Sequence, residues 1–284
     1  MLLEHWLQQA RQALEAAGSD SARLDAELLL GYVLNKDRTW LYTYTDYVLS
    51  TDELVKVTDL LTERTKGVPV AHLIGERDFW SLRLLVDAST LIPRPDTETL
   101  VEWALELPLL ATARVLDLGT GTGAIALALA SEQPSWQVLG VDESPAAIEL
   151  AIKNSHKNQL ARVEFKTSDW FCQVEGNFDL IVSNPPYIDD QDPHLNQGDV
   201  RFEPLTALVA EQQGLADIIH IIDQAPVFLR DQGWLLLEHG YQQAEQVCKL
   251  LTAKGFQQVQ TRTDLGGQPR ISGGQWRTLQ IKSA

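Results

Sequence analysis

Apolar side chains first recur at helical spacing. Leu3, Leu7, Ala10 and Leu14 fall three or four residues apart before Gly18, which predicts an amphipathic opening helix. A second helical run carries Leu24, Leu28 and Leu29, with Tyr32 and Val33 one turn further on. A third opens on a capping box, Ser50 with Glu53 three residues later. It uses Leu54, Val57, Leu60 and Leu61 as its apolar face before Gly67 and Pro69 end it. A helical bundle of roughly 70 residues is within the size range of a small domain. Its helices carry no evident chemistry, as expected of a module that binds or positions a partner.

The pattern changes over residues 68–97, where Pro69, Gly75, Pro93 and Pro95 punctuate a stretch containing FWSLRLLVD, which alternates well enough for a short hairpin. From residue 98 onward, short apolar strands alternate with helical runs. Strands are predicted at 113–119, 136–142, 163–169, 178–184, 233–240, 256–263 and 276–282. Helices are predicted over GAIALALASE, SPAAIELAIKNSHKN, LADIIHIIDQAPVFL and YQQAEQVCKLLTAKG. This alternation implies an α/β domain with a mostly parallel sheet covered on both faces, whose ligands sit at the carboxyl ends of the strands. The expected organisation is a helical domain at 1–72, a connector with a hairpin at 73–97, and the α/β domain at 98–284.

Composition narrows the function classes. The 284-residue chain is 44% hydrophobic, enough for a sizeable core, and carries a formal charge of −16. Phosphate backbones are bound through Lys and Arg, so an acidic chain is a poor candidate for tight binding to naked nucleic acid. The same surface suits a basic protein partner and a cationic cofactor. Cys172 and Cys248 are far apart with no CxxC spacing, which excludes a disulfide scaffold and a thiolate zinc site. The six His are scattered, and no metal is expected. The first residues, MLLEHWLQQARQALEAAG, lack the continuous apolar core of a signal peptide. No run approaches about 18 uninterrupted apolar residues. The expectation is a soluble cytoplasmic protein.

Candidate chemistry gathers at the strand ends. The first strand of the α/β domain runs into Asp117-Leu118-Gly119-Thr120-Gly121-Thr122-Gly123 just before a helix. Glycines permit a sharp turn and close approach to a ligand, and the helix N-terminus offers free N–H groups. With Ala124 the loop also fits the looser G-x-G-x-x-A form of a nicotinamide site. Asp142 ends the next strand, where a carboxylate can accept both ribose hydroxyls of an adenosine cofactor or else cap the helix that follows. Ser168-Asp169-Trp170 ends the third, where the indole can face an adenine or serve as core.

The fourth strand ends in Asn184-Pro185-Pro186-Tyr187. Two prolines remove two backbone donors and lock φ, giving a rigid extended turn with free carbonyls. Asn184 Oδ1 and the Pro185 carbonyl can hold the two hydrogens of a planar NH2 group, with its π-face against Tyr187. A proline turn with an aromatic plug is the bland alternative. An amide nitrogen is a weak nucleophile, and acceptors on its N–H groups raise its electron density as it pyramidalises. A sulfonium methyl is already activated, so alignment for in-line displacement is the main requirement and no strong base is needed before attack.

At these residues the chain resembles the release factor glutamine methyltransferases, the HemK or PrmC family. The resemblance runs over nearly the whole chain: the helical N-terminal domain, Leu91-Ile92-Pro93-Arg94-Pro95-Asp96-Thr97-Glu98, DLGTGTG, SNPPYIDDQDPHL, Arg201-Phe202-Glu203-Pro204 and Leu237-Glu238-His239-Gly240. N-P-P-Y alone is shared with adenine-N6 DNA methyltransferases. The resemblance implies a Rossmann-like class I methyltransferase sheet with a small helical N-terminal domain. It implies methyl transfer from S-adenosyl-L-methionine, leaving S-adenosyl-L-homocysteine, to the glutamine of the Gly-Gly-Gln loop of class-one peptide chain release factors. Carried over, Gly119, Thr120, Gly121, Thr122, Gly123, Asp142, Trp170 and Asn184 contact the cofactor, and Asn184, Pro185, Pro186 and Tyr187 the glutamine, with Asn184 and Tyr187 catalytic. The N-terminal bundle contacts the release factor, and the enzyme is expected to be a monomer. A glutamine methyltransferase acting on a ribosomal protein, an adenine-N6 nucleic-acid methyltransferase and a silent binding module are the rival readings. The chain's own Gly-Gly-Gln strings at 266–268 and 273–275 read as loop composition near the last strands. Whether Arg201, Glu203 or the loop 189–200 closes over the site is left open by the sequence.

Overall fold

A computed structural model describes residues 1–196 and 198–278. The chain divides into two compact units: Met1–Glu76 with Pro193–Phe202, and Arg77–Asp192 with the chain from Glu203 onward.

The first unit holds α1 (Leu3–Ala16), α2 (Ala22–Leu34), α3 (Arg38–Thr43), α4 (Thr51–Thr65) and α5 (Val70–Ile74). Leu3, Ala10 and Leu14 of α1 are buried as expected, with Trp6 buried in place of Leu7, which is only partly buried, and they meet Ala26, Leu29 and Leu30 of α2 and Val57 of α4. The predicted face of α2 is corrected at both ends: Leu24 is 40% and Tyr32 55% exposed, while Ala22 and Ala26 turn inward. The capping box forms, with Glu53 N–H donating to Ser50 Oγ at 3.3 Å and Ser50 N–H to Glu53 Oε2 at 2.8 Å. Two acidic residues of α2, Asp25 and Glu27, are buried against partners. Asp25 accepts from the Ser19 and Ser21 hydroxyls and pairs with Arg64 at 2.8 Å. Arg64 also reaches Asp199 at 2.9 Å, and Arg201 donates to the Lys66 carbonyl at 3.2 Å, which fastens the segment 193–202 to this unit.

In the second unit the predicted hairpin is β1 (Glu76–Phe79) and β2 (Leu82–Leu85), followed by a 3-10 turn at Pro95–Thr97 and α6 (Glu98–Glu106). The main sheet contains β3 (Arg114–Leu118), β4 (Gln137–Asp142), β5 (Glu164–Thr167), β6 (Phe178–Ser183), β7 (Leu229–Glu238), β8 (Gln257–Thr263) and β9 (Pro269–Gln275). Its order is β5-β4-β3-β6-β7-β9-β8. β5, β4, β3, β6 and β7 run parallel, and β9 lies antiparallel between β7 and β8. The helices are α7 (Ala124–Glu132), α8 (Pro145–Lys157), a single turn α9 (Glu211–Gly214), α10 (Ala216–Phe228) and α11 (Ala244–Lys254).

Period-two alternation sorts the strand side chains into two cores. Val115, Val138, Leu180, Val182, Trp234 and Leu236 pack with α6 and α7. Leu116, Val141, Ile181, Leu235 and Leu237 pack with α10 and α11. Chain order reverses at β3, which lies between β4 and β6, and this creates the crevice at their carboxyl ends.

The end of the chain corrects the sequence reading. The last described strand is Pro269–Gln275, whereas Trp276–Thr278 lie outside any strand and 279–282 of the predicted strand fall outside the described residues. The Gly-Gly-Gln at 273–275, expected in a loop, therefore sits in a buried strand, and the one at 266–268 in the preceding turn. Glycine is required at 273 by proximity, since a Cβ there would stand 2.4 Å from Leu236 Cδ2 and 2.6 Å from the Leu235 carbonyl oxygen. A buried polar chain joins the same strands. His239 Nδ1 faces the Gly240 carbonyl at 2.9 Å and so carries the proton, leaving Nε2 to accept from Ser272 Oγ at 2.8 Å, with Thr261 Oγ1 2.7 Å beyond. Among the described residues, no helix is long and apolar enough to cross a membrane, and no group of three or more His, Cys, Asp or Glu could hold a metal ion.

Candidate active site

The crevice opens on a cleft of about 1100 Å³, counting the space open to solvent. Its floor is the loop between β3 and α7. Gly119, Gly121 and Gly123 have φ of 67°, 53° and 81°, in the left-handed region that side chains resist. Gly123 directly precedes α7, and a Cβ on it would come within 3.1 Å of Phe165 and 3.2 Å of Ala151. Gly119, Thr120, Gly121 and Thr122 line the cleft.

Two carboxylates shape that loop. Asp117 is fully buried, with Oδ2 accepting from the Thr120 hydroxyl at 2.6 Å and from Ala126 N–H at 3.2 Å. Its Oδ1 has no partner, and burial pushes its carboxyl up to about 7. Asp142 Oδ2 accepts from Gly121 N–H at 2.9 Å and Oδ1 from Ser144 N–H at 3.0 Å, and burial raises its carboxyl too. The cap of α8 is Ser144, whose Oγ accepts from Ala147 N–H, so Asp142 is not the N-cap. Each Asp142 oxygen keeps a lone pair that a hydroxyl on the cleft side can use.

Trp170 adopts a φ of 44°, held by a turn in which Ser168 Oγ donates to the Trp170 carbonyl and accepts from Gln173 N–H. Its ring both packs on the α10 side of the core and lines the cleft, so it serves core and cavity at once. Asn184 and Pro186 line the cleft, with Asn184 Nδ2 donating to Thr97 Oγ1 at 3.3 Å. Gly123, Pro185 and Tyr187, also expected at the site, are not among the residues that line the cleft. The Tyr187 hydroxyl donates to Glu238 Oε1 at 3.3 Å, its carbonyl accepts from Gln243, and its phenol is pushed upward by burial and by the Glu238 charge.

Several lining residues are not among the sequence candidates. Thr90, Leu91, Pro93, Arg94 and Thr97 come from the connector, and Asp217 from α10. A buried Glu203 fixes that connector, accepting from Ile92 N–H at 2.8 Å and pairing with Arg94 at 2.5 Å. Glu203 thus braces a wall of the cleft, whereas Arg201 belongs to the helical unit. The connector is legible as a proline-punctuated stretch, but nothing in its pattern says that it returns to a strand end. Asp142, Glu143, Asp169 and Asp217 give the cleft a negative lining, the complement of a cationic ligand.

Comparison with known proteins points one way. Residues 5–75 match the PrmC N-terminal domain family, and residues 96–200 the methyltransferase small domain family. The chain is 52% identical over 265 residues to a release factor glutamine methyltransferase of Shewanella oneidensis, covering 93% of each chain. It is 50% identical over 277 residues to that of Escherichia coli, covering 97% of this chain and 99% of the relative. Among solved structures, the hMettl16 catalytic domain in complex with MAT2A 3'UTR hairpin 6 superposes with a TM-score of 0.56 at 19% identity, covering 76% of this chain and 81% of that one. A methyltransferase from Pyrococcus furiosus superposes with a TM-score of 0.54 at 17% identity, covering 70% and 91%. At that identity the two structures speak for the fold alone.

Proposed function

This chain belongs to the release factor glutamine methyltransferase family, and on that footing we propose that it methylates the side-chain amide nitrogen (N5) of the glutamine in the Gly-Gly-Gln motif of class-one peptide chain release factors. The observation that carries the chemistry is the Asn184 amide, tied by its NH2 to Thr97 and so left with Oδ1 as the free acceptor at the cleft.

S-adenosyl-L-methionine, when bound, supplies an activated methyl group on a sulfonium. The residues present fit it. The Thr90 hydroxyl, which lines the cleft, is buried without a partner, and the carboxylates of the lining complement the ligand's positive charge. We assign the spare lone pairs of Asp142 to ribose hydroxyls, the Trp170 ring to the adenine, and the loop Gly119–Gly123 to close backbone approach. The four carboxylates along the lining favour the cation over its neutral product.

Asn184 Oδ1 and the Pro185 carbonyl accept the two amide hydrogens of the glutamine, and Tyr187 supports its plane. These bonds raise electron density on nitrogen and hold it for in-line attack. The proton becomes acidic once the methyl has arrived, and it leaves then. The helical unit, residues 1–72, is taken as the substrate-binding domain. The same reading places the enzyme in the cytoplasm as a monomer that meets the release factor without nucleic acid. A charge of −16 supports the last point, because phosphate binding needs basic surface.

The test uses isotopically labelled S-adenosyl-L-methionine with three acceptors: an unmethylated release factor, the same factor with its loop Gln changed to Ala, and duplex DNA. Label in the intact factor alone is expected. Label in DNA, or in the Gln-to-Ala factor, would overturn the assignment.

A further inference from the structure

Gly-Gly-Gln occurs twice in this chain, and the fold presents the two copies in opposite ways. In β9, Gln275 is 7% exposed and its amide is occupied at both ends. Its Nε2 donates to the Gln232 carbonyl at 3.1 Å, and its Oε1 accepts from Gln258 Nε2 at 2.7 Å. The copy at 266–268 belongs instead to the tip of the β8–β9 hairpin. Leu265 is 90% exposed there, and Gly266, Gly267 and Gln268 are exposed beside it.

The backbone of that tip is settled by its own bonds. Asp264 N–H donates to the Gln268 carbonyl at 2.9 Å, and Gly267 N–H to the Asp264 carbonyl at 2.9 Å. Gln268 N–H donates to Asp264 Oδ1 at 2.9 Å, and the buried Asp264 pairs in turn with Arg270 at 3.2 Å. The turn asks for glycine at 267, where φ is 78°, but nothing in it asks for glutamine at 268. Among the described residues the Gln268 side chain has no hydrogen-bond partner, so its amide is free to meet another protein. The two glycines ahead of it carry no side chains, and a cleft that receives this tip has only the glutamine to admit.

β9 runs antiparallel to β7, so the turn stands at the edge of the sheet where β7 ends. Asn184 of the same molecule follows β6, two strand spacings or about 10 Å across the sheet. The hairpin bonds hold the turn where it is, and a second copy has no such restriction. We infer that the protein methylates itself between copies: Gln268 of one molecule is an acceptor in the cleft of another. This rests on the reading above, in which Asn184 and Pro185 receive a Gly-Gly-Gln glutamine. The Gln268 amide nitrogen attacks the methyl carbon of S-adenosyl-L-methionine. An N–C bond forms as the C–S bond breaks, the electron pair of that bond stays on sulfur, and the nitrogen then gives its extra proton to water. The products are N5-methylglutamine and S-adenosyl-L-homocysteine. Both copies carry a charge of −16, so they meet transiently rather than as a stable dimer.

Trypsin separates the two motifs, since cleavage after Arg262, Arg270 and Arg277 gives TDLGGQPR (263–270) and ISGGQWR (271–277). Wild-type protein and affinity-tagged Asn184→Ala protein are each made by translation in purified components without S-adenosyl-L-methionine. They are incubated with the labelled cofactor, separately and mixed, and their peptides are read by mass spectrometry. In the wild type, TDLGGQPR gains one methyl group and ISGGQWR gains none. Asn184→Ala alone gains neither, and in the mixture the tagged variant gains label on TDLGGQPR. Gln268→Ala loses the self-label entirely while methylating a release factor at the wild-type rate. A release factor in excess suppresses the self-label, because both acceptors use one cleft. Unlabelled TDLGGQPR in a preparation that methylates a release factor would overturn the inference and leave the proposed function standing. Label that never reaches the tagged variant, or that falls equally on ISGGQWR, would overturn it as well. Label on TDLGGQPR with none on a release factor would sink the release factor assignment and keep the inference, and label on neither would sink both.

Discussion

Asp142 and Asn184 meet the cleft from strand ends on either side of β3, yet their substitution should separate binding from chemistry. Asp142 supports two backbone N–H groups, one of them in the glycine loop, while facing the cavity. Hydrogen bonds to a charged group are worth about 1.5–3 kcal/mol each. Asp142→Ala is therefore expected to weaken S-adenosyl-L-methionine binding roughly 100-fold or more, taking about 3 kcal/mol as the loss. Calorimetry checks this, and unchanged affinity would reduce Asp142 to a brace of the loop. Asn184→Ala removes one preorganised acceptor, and loss of one such contact costs about 10²–10³ in rate. Single-turnover methylation should show that loss while cofactor affinity stays within a few-fold; full activity would remove Asn184 from the mechanism. Both residues were legible in the sequence because each ends an apolar run beside turn-forming residues. Glu238 ends one too, in Leu235-Leu236-Leu237-Glu238, and a lone carboxylate closing such a run was the available signal. What the sequence does not carry is its pairing with Tyr187, which depends on two separate segments meeting.

Periodicity located the elements whose own side chains make the core. α1 buries most of the stripe its spacing predicts, α4 buries Val57 with Leu54, Leu60 and Leu61 partly buried against the same core, and β3, β4 and β6 are apolar on both faces as parallel strands require. β9 escaped for the opposite reason. Its sequence, PRISGGQ, has one proline, two glycines and few apolar residues, and it becomes a strand by pairing with β7 and β8. The close backbone approach that selects Gly273 is a property of the assembled sheet. Gly273→Ala should consequently force β7 and β9 apart or displace Leu236. Overpacking of this kind costs about 1–3 kcal/mol, readable as a lower urea midpoint with an unchanged slope. A midpoint equal to wild type would mean that the β7–β9 pairing has slack that the geometry does not display.

At the level of the whole protein, the site and the stability curve are linked through charge. Asp117 and Glu238 titrate near 7 when folded because burial disfavours their charge, against ordinary values of 3.8 and 4.5. Between those values and 7 the folded protein binds more protons than the unfolded chain. Each group's contribution is therefore fully present below its ordinary value and is lost as pH rises through 7, at about 1.4 kcal/mol per pH unit across that interval. Lowered carboxyls such as Glu27 and Glu53 act in the opposite sense, but their loss lies at acid pH. His239, lowered by burial, also acts in the opposite sense, its penalty to the folded state in acid being relieved as pH rises past its ordinary 6.5, and this single group only partly offsets the two raised carboxyls. The cofactor-free protein should thus melt at a higher temperature at pH 6 than at pH 8. Asp117→Asn should flatten that slope, and so should Glu238→Gln. A cationic ligand in the cleft favours ionised Asp117, so the difference between pH 6 and pH 8 should narrow when S-adenosyl-L-methionine is present. Melting curves over this range with and without the cofactor decide the matter: equal stability at both pH values, or a slope that the ligand leaves untouched, would mean that these buried carboxyls are ionised at little cost, and that the negative lining of the cleft rather than Asp117 selects the cation.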